Sequence, residues 1–228
     1  MRKFSFVLIT TASLAACGGD DGGNVTPLDA AGSIDAPVVC TVSTGSFGDA
    51  GALTGAATFA ASTMNPALYR IAVQGALETA QPTDVLFVDF YTGYTPFGTQ
   101  AAPTAVLPGT YQLTGEQLDF ETCGVCVTLG TNATADAYED DYMVTGGTVV
   151  VAAVGDAVGE TLTLTLSNLE LEHVTIDPQS GATSSVGDGC GTTIANATFT
   201  GMVMAPPPAV APGLQPPQLP RKGRARRF

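Results

Sequence analysis

Between Lys3 and Arg221 the chain has a single basic residue, Arg70, and in its whole length one histidine, His173, and no tryptophan. Residues 17–220 therefore set 21 acidic side chains against one cation, a net charge of −20. A surface of that sign repels phosphate backbones, which excludes nucleic acid as a partner. It also leaves room for almost no internal salt bridges. With one histidine, zinc has no second ligand pair to complete a Cys-x-x-Cys site, and a Ser-His-acid triad would rest on His173 alone. That residue sits in the strand-like run Glu172-His173-Val174, in a phase that predicts an exposed or edge position. No glycine-rich loop with a phosphate-binding lysine occurs, and no strand–helix–strand pattern that would hold a dinucleotide. The paired carboxylates of glycoside hydrolysis have no such motif, so abundant acidic residues neither support nor remove that class.

What is present begins with an export pattern. Arg2 and Lys3 precede the apolar run Phe4 to Ile9, and small residues follow up to Ala16; this is the layout of a secretory signal. The run is too short to cross a ~30 Å hydrocarbon core as a helix. Leu14-Ala15-Ala16-Cys17 looks like a lipobox, which makes residues 1–16 a cleaved signal and Cys17 the lipid-bearing first residue of a 212-residue mature chain. Each acyl methylene buried in a bilayer contributes ~0.8 kcal/mol, so two or more chains anchor stably. Gly18 follows the cysteine where Asp would favour retention in the inner membrane of enteric bacteria, and this points to the outer membrane, with the periplasmic or surface face left open.

Residues 17–38, rich in Gly, Asp and Ala, read as a flexible tether with nothing to bury. Residues 205–228 carry Pro206 to Pro208, Pro212, Pro216, Pro217 and Pro220, then the basic cluster Arg221, Lys222, Arg224, Arg226 and Arg227. That density of proline predicts a tail without a core. The folded unit is expected over 39–204. It holds four cysteines, Cys40, Cys123, Cys126 and Cys190, which an exported location favours as disulfides. Three pairings are open by sequence; the preferred one is a local clip Cys123–Cys126 and a long closure Cys40–Cys190. The Cys123-Gly124-Val125-Cys126 run lies in a strand-like stretch without the helix N-terminus that lowers a redox thiol's pKa.

Within the unit, alternation predicts strands at Tyr69 to Leu77, Val85 to Tyr91, Thr110 to Thr114, Phe120 to Leu129, Tyr142 to Val154, Glu160 to Asp177 and Thr192 to Met204. Asn65-Pro66 is an alternative helix start before the first of these. Gly155 to Gly159 is a hairpin connection. Leu162, Leu164 and Leu166 share one face, but Leu169 and Leu171 fall on the other, so a bulge or bend is expected near Ser167-Asn168. About eight strands with glycine-rich turns and no long amphipathic helix predict an all-β fold, a β-sandwich or jelly-roll-like domain.

The sequence Gly109-Thr110-Tyr111-Gln112-Leu113, then Cys123-Gly124-Val125-Cys126-Val127, Gly146-Gly147-Thr148-Val149, Ser167-Asn168-Leu169, Val174-Thr175-Ile176-Asp177 and Gly189-Cys190 resembles uncharacterised lipoproteins of myxobacteria and related environmental bacteria. The resemblance covers roughly residues 56–200. It implies location and fold, and carries no catalytic residue, because that group has no established activity.

The clustered hard-oxygen donors are Asp136, Glu139, Asp140 and Asp141, the candidate calcium ligands. They lack the alternating spacing and glycine of an EF-hand loop, and a run of charges is more often a solvated loop. Phe90, Tyr91, Tyr94 and Phe97 near a Gly-Tyr-Thr-Pro turn are candidates for a glycan- or peptide-binding surface, against core and turn packing. The expectation from these observations is a non-enzymatic lipid-anchored envelope protein without a cofactor, with a structural or surface-binding role toward a protein or glycan partner. An extracellular carboxylate-dependent hydrolase and a calcium-stabilised adhesion module are the alternatives.

Overall fold

A computed structural model describes residues 38–62, 65, 67–93, 95–96, 105–134 and 137–206. The signal, Cys17, the tether up to residue 37, Tyr94, Phe97, Asp136 and the basic cluster of the tail lie outside the described residues. Ten strands are seen: β1 (Ser46–Ala52), β2 (Thr54–Ala61), β3 (Tyr69–Ala76), β4 (Thr83–Tyr91), β5 (Gly109–Gln112), β6 (Val125–Ala133), β7 (Asp141–Ala153), β8 (Thr161–Ile176), β9 (Thr183–Ser185) and β10 (Gly191–Met204). The sole helical element among the described residues is a single 3-10 turn, Gly115–Leu118.

Threonine, valine and leucine alternate through these runs, and each fits a pleated surface with one covered face. Strands β2, β3, β4, β6, β7, β8 and β10 pair in that order, every pair antiparallel. Strands that alternate in direction bring the seventh alongside the first pointing the same way. β10 accordingly meets β2 in parallel, at Val203↔Ala57 and Met204↔Thr58. β1 continues this parallel seam from Ser46↔Thr193 to Ala52↔Thr198, and between β1 and β2 the Leu53 N–H donates to Thr198 O at 2.7 Å. The all-β expectation is borne out, as one large mixed sheet that closes on itself through the β10–β2 pairing.

The closed sheet surrounds one core. Ile71, Val73, Leu86, Val88, Phe90, Val125, Val127, Leu129, Val149, Val151, Leu162, Leu164 and Leu166 are all buried, and their pairings place them on one side of the sheet. Glycine is demanded where β2 approaches β3: a Cβ on Gly55 would lie 1.7 Å from Gln74 O. The Tyr69 to Leu77 alternation is realised as β3, and Asn65 O accepts from Leu68 N–H in a turn before it.

The expected bulge is present. Asn168 has φ 51°, and β8 gains a residue against β7 between Gly146↔Glu170 and Thr148↔Ser167. Toward β10 the register runs through unbroken, and β10 changes phase at the same level, from buried Thr192 and Ile194 to buried Ala197 and Phe199. A matched slip in two neighbours keeps the leucines of β8 inside without breaking their ladder. The apolar positions of β8 change phase a second time in the sequence, at Val174 and Ile176. No register shift occurs there; the Asp119-Phe120 segment docks on neighbouring β9, with Phe120 N–H donating to Thr183 Oγ1 and Thr183 N–H to Asp119 Oδ1.

One expected strand is shorter than its pattern. Phe120 to Leu129 enters the sheet only at Val125. Asp119 O accepts from the N–H groups of Thr122 and Cys123 and closes a turn over the first residues. Gln117 Oε1 then takes the N–H groups of Gly124 and Val125. The Cys-x-x-Cys run therefore spans a turn and a strand start.

Candidate functional site

The first described residues, from Val38, are fastened to one end of the closed sheet. Cys40 is bonded to Cys190 just ahead of β10, with Cα atoms 5.5 Å apart. Val42 enters the core. Ser43 N–H donates to Asp84 Oδ2 at 2.8 Å, while Asp84 Oδ1 accepts from Asn132 N–H at 3.0 Å. Asp84 is almost wholly buried, and these backbone donors stand in for the water its carboxylate has lost. The Asn132 side-chain amide donates to both Thr41 O and Glu139 Oε2. Asn132 adopts φ 50°, a left-handed conformation that asparagine tolerates better than most residues.

His173 stands beside this seam. It lies directly across from Tyr142 in the β7–β8 ladder, and the two rings stack with centroids 5.1 Å apart and planes at 18°. Its Nδ1 is 2.6 Å from Asp188 Oδ2 and its Nε2 is 3.7 Å from Asp140 Oδ1. Asp188 Oδ1 accepts the Cys190 N–H at 2.9 Å. That bond first, and the His173 contact second, hold the Asp188 carboxyl below its ordinary value. Asp188 is therefore an ionised acceptor, and Nδ1 carries the proton. Burial raises the Tyr142 hydroxyl above its ordinary value, the nearby Thr41 and Val42 pulling weakly the other way, and the hydroxyl makes no hydrogen bond among the described residues. The expectation of an exposed or edge histidine is corrected: the side chain keeps 15% of its exposure, because Tyr142 covers one face and two carboxylates flank the ring.

This arrangement does not build a nucleophile. Both nitrogens of His173 face carboxylates, so neither is aimed at a hydroxyl or thiol to deprotonate. Of the calcium candidates, Asp136 lies outside the described residues and the other three have separate surroundings. Glu139 is taken by Asn132, Asp140 faces His173, and Asp141 is buried at the start of β7. Among the described residues no group of three His, Cys, Asp or Glu side chains is placed to hold a metal ion.

A second polar cluster lies on the opposite face of β3 and β4. Arg70 Nη2 is 2.7 Å and its Nε 3.1 Å from Asp89 Oδ1, and the guanidinium stands 5.7 Å from the centre of the Tyr91 ring. Asp89 is fully buried. Burial pushes its carboxyl up, and Arg70 pulls against that rise without cancelling it. Its neighbour across the β4–β6 ladder is Cys126, bonded to Cys123 with Cα atoms 5.3 Å apart. Cys123 and Cys126 retain 0% and 1% of their exposure, so a redox partner has no sulfur to attack. Both disulfides have the expected pairing. Phe90 is core and Tyr91 is buried beside Arg70, so neither is available to a ligand surface.

One of these associations carried a signal in the sequence. Arg70 is the one Lys or Arg of the folded unit and Asp89 the one charge in the run Val85 to Tyr91, and neighbouring strands bring them together. The contacts of His173 with Asp140 and Asp188 carried none, since both carboxylates lie in turns. No protein family, no curated protein and no solved structure matches the chain.

Proposed function

We infer that the chain is a lipid-anchored protein of the bacterial cell envelope, held at the outer membrane by Cys17, with a structural or surface-binding role. The observation that carries this reading is the Cys40–Cys190 disulfide. It lies just past the tether and ties the domain to the chain that would run to the membrane, in a form that persists in an oxidising compartment. The lipobox run Leu14 to Cys17 and the likeness to uncharacterised myxobacterial lipoproteins support the same reading. The strongly acidic folded unit suits a protein that stays soluble beside the membrane on a flexible tether.

The test is fractionation with metabolic labelling. The wild-type chain takes up labelled fatty acid and sediments with membranes, whereas Cys17→Ser takes up none and appears in the soluble fraction. Wild-type protein without label, or a Cys17→Ser variant that still sediments with membranes, would overturn the reading.

A further inference from the structure

We propose that His173, in its doubly protonated form, is a pH-sensitive clasp that ties the turn before β7 to the loop before β10 and so holds the N-terminal segment at the end of the sheet. The inference concerns the folded unit alone and stands whether or not Cys17 is acylated.

The argument starts from hydrogen count. Asp188 accepts at Oδ2, so one proton sits on Nδ1. Asp140 Oδ1, 3.7 Å from Nε2, belongs to a second group that accepts when ionised. A ring with one proton turns a lone pair toward that oxygen, and the contact is repulsive. A ring with two protons turns an N–H toward it; the Asp188 contact becomes a charge-assisted hydrogen bond and the longer Asp140 contact an attractive ion pair. The charged and titratable groups facing the ring come from each element around it: Asp188 from the loop before β10, Asp140 from the turn before β7, and Tyr142 from β7. Glu139 is engaged by Asn132 and Glu172 by the Ser185 hydroxyl. The sole Lys or Arg among the described residues, Arg70, is paired with Asp89. No other Lys or Arg among the described residues therefore replaces the imidazolium when it loses its proton.

The consequence travels along bonds already described. Asp140 and Glu139 share one turn, which is held on β6 by Thr131 N–H to Asp140 O and Glu139 N–H to Thr131 O. Glu139 receives the Asn132 amide, which also grips Thr41 O. Releasing Asp140 loosens this turn and with it the hold on Thr41. The clasp is closed on the acid side of the ring's titration and opens on the alkaline side. The Cys40–Cys190 bond keeps the segment attached in both states.

The experiment uses the full chain. Its single histidine allows the imidazole titration to be followed by nitrogen NMR without assignment ambiguity. Amide exchange of residues 131–140 and 41–43 is measured across the same pH range, after correction for intrinsic rates. Wild-type exchange in both segments should rise roughly tenfold or more as the ring loses its proton, the change expected when a charge-assisted bond is lost. In Asp140→Asn the amide can donate to the free Nε2, so the step should vanish with the turn protected at both extremes. In His173→Gln the step should vanish with exchange fast throughout. A wild-type profile flat across the ring's titration, or a step that persists in His173→Gln, would overturn the clasp.

Discussion

Arg70 and Asp89, 19 residues apart, form the one Lys or Arg ion pair among the described residues, and it is buried between β3 and β4 with the Tyr91 ring beside the guanidinium. In a folded unit with so many unbalanced carboxylates, the single cation is spent on the carboxylate that has lost its water altogether.

Removing the cation should therefore cost more than removing the pair. Arg70→Met is expected to lose about 3–5 kcal/mol, and Arg70→Met with Asp89→Leu to recover most of it. The single variant should also acquire a distinctive pH dependence. Burial then raises the Asp89 carboxyl unopposed, the folded state binds the proton more tightly, and stability is greatest in acid and falls as pH climbs above the ordinary 3.8. Urea unfolding at several pH values checks both points. A single variant no weaker than the double would contradict them.

Asp188 should act in the opposite sense. Its folded carboxyl sits below the ordinary 3.8, chiefly through the Cys190 N–H and then through His173. Its contribution is present above that value and is lost as pH falls through the lower folded one. In Asp188→Asn the acid limb of the stability profile should flatten, as read by thermal melting between pH 2 and 6. An unchanged acid limb would show that the carboxylate is not held as described.

The two disulfides should differ in weight. Cys40 and Cys190 are 150 residues apart and Cys123 and Cys126 only 3, so on loop entropy the first is worth about 5 kcal/mol and the second about 2 kcal/mol. Serine pairs at each site, compared by chemical denaturation, should show that order. Native protein should give no thiol label until it is denatured and reduced. Ready labelling of Cys123 or Cys126 in the native state would reopen the redox reading.

Calcium should stabilise the protein no more than sodium at equal ionic strength, because Glu139 and Asp140 already have other partners. Salt of either kind should raise the melting point modestly by screening carboxylate repulsion over a ~10 Å Debye length at 0.1 M. A calcium-specific rise, removed by chelator and by Asp140→Asn, would restore the adhesion-module alternative.

Much of the sheet was legible because its signals are local. Leu162, Leu164 and Leu166 announce a face, and the phase change after them announces the bulge that Asn168 makes. The second phase change at Val174 looks the same in sequence yet has no register shift behind it, since periodicity reports which face is covered and cannot say by what. The Phe120 to Leu129 pattern is longer than its strand for a related reason: its apolar residues are buried, but the first of them in a turn closed by Asp119. The His173 cluster was not legible. Asp140 and Asp188 reach it from turns, where spacing along the chain carries no geometric information.

The bond between Cys40 and Cys190 also fixes how the molecule bears load. A pull on the chain ahead of Cys40 passes through sulfur directly to the start of β10, without being carried by β1, β2 or any intervening strand. The 150-residue separation corresponds to ~500 Å of extended chain that stays locked in a covalent ring and cannot lengthen under tension. While that bond lasts, a tug from the N-terminal side can tilt or displace the domain as a body, and the parallel seam of β1 on β10 carries shear only after reduction.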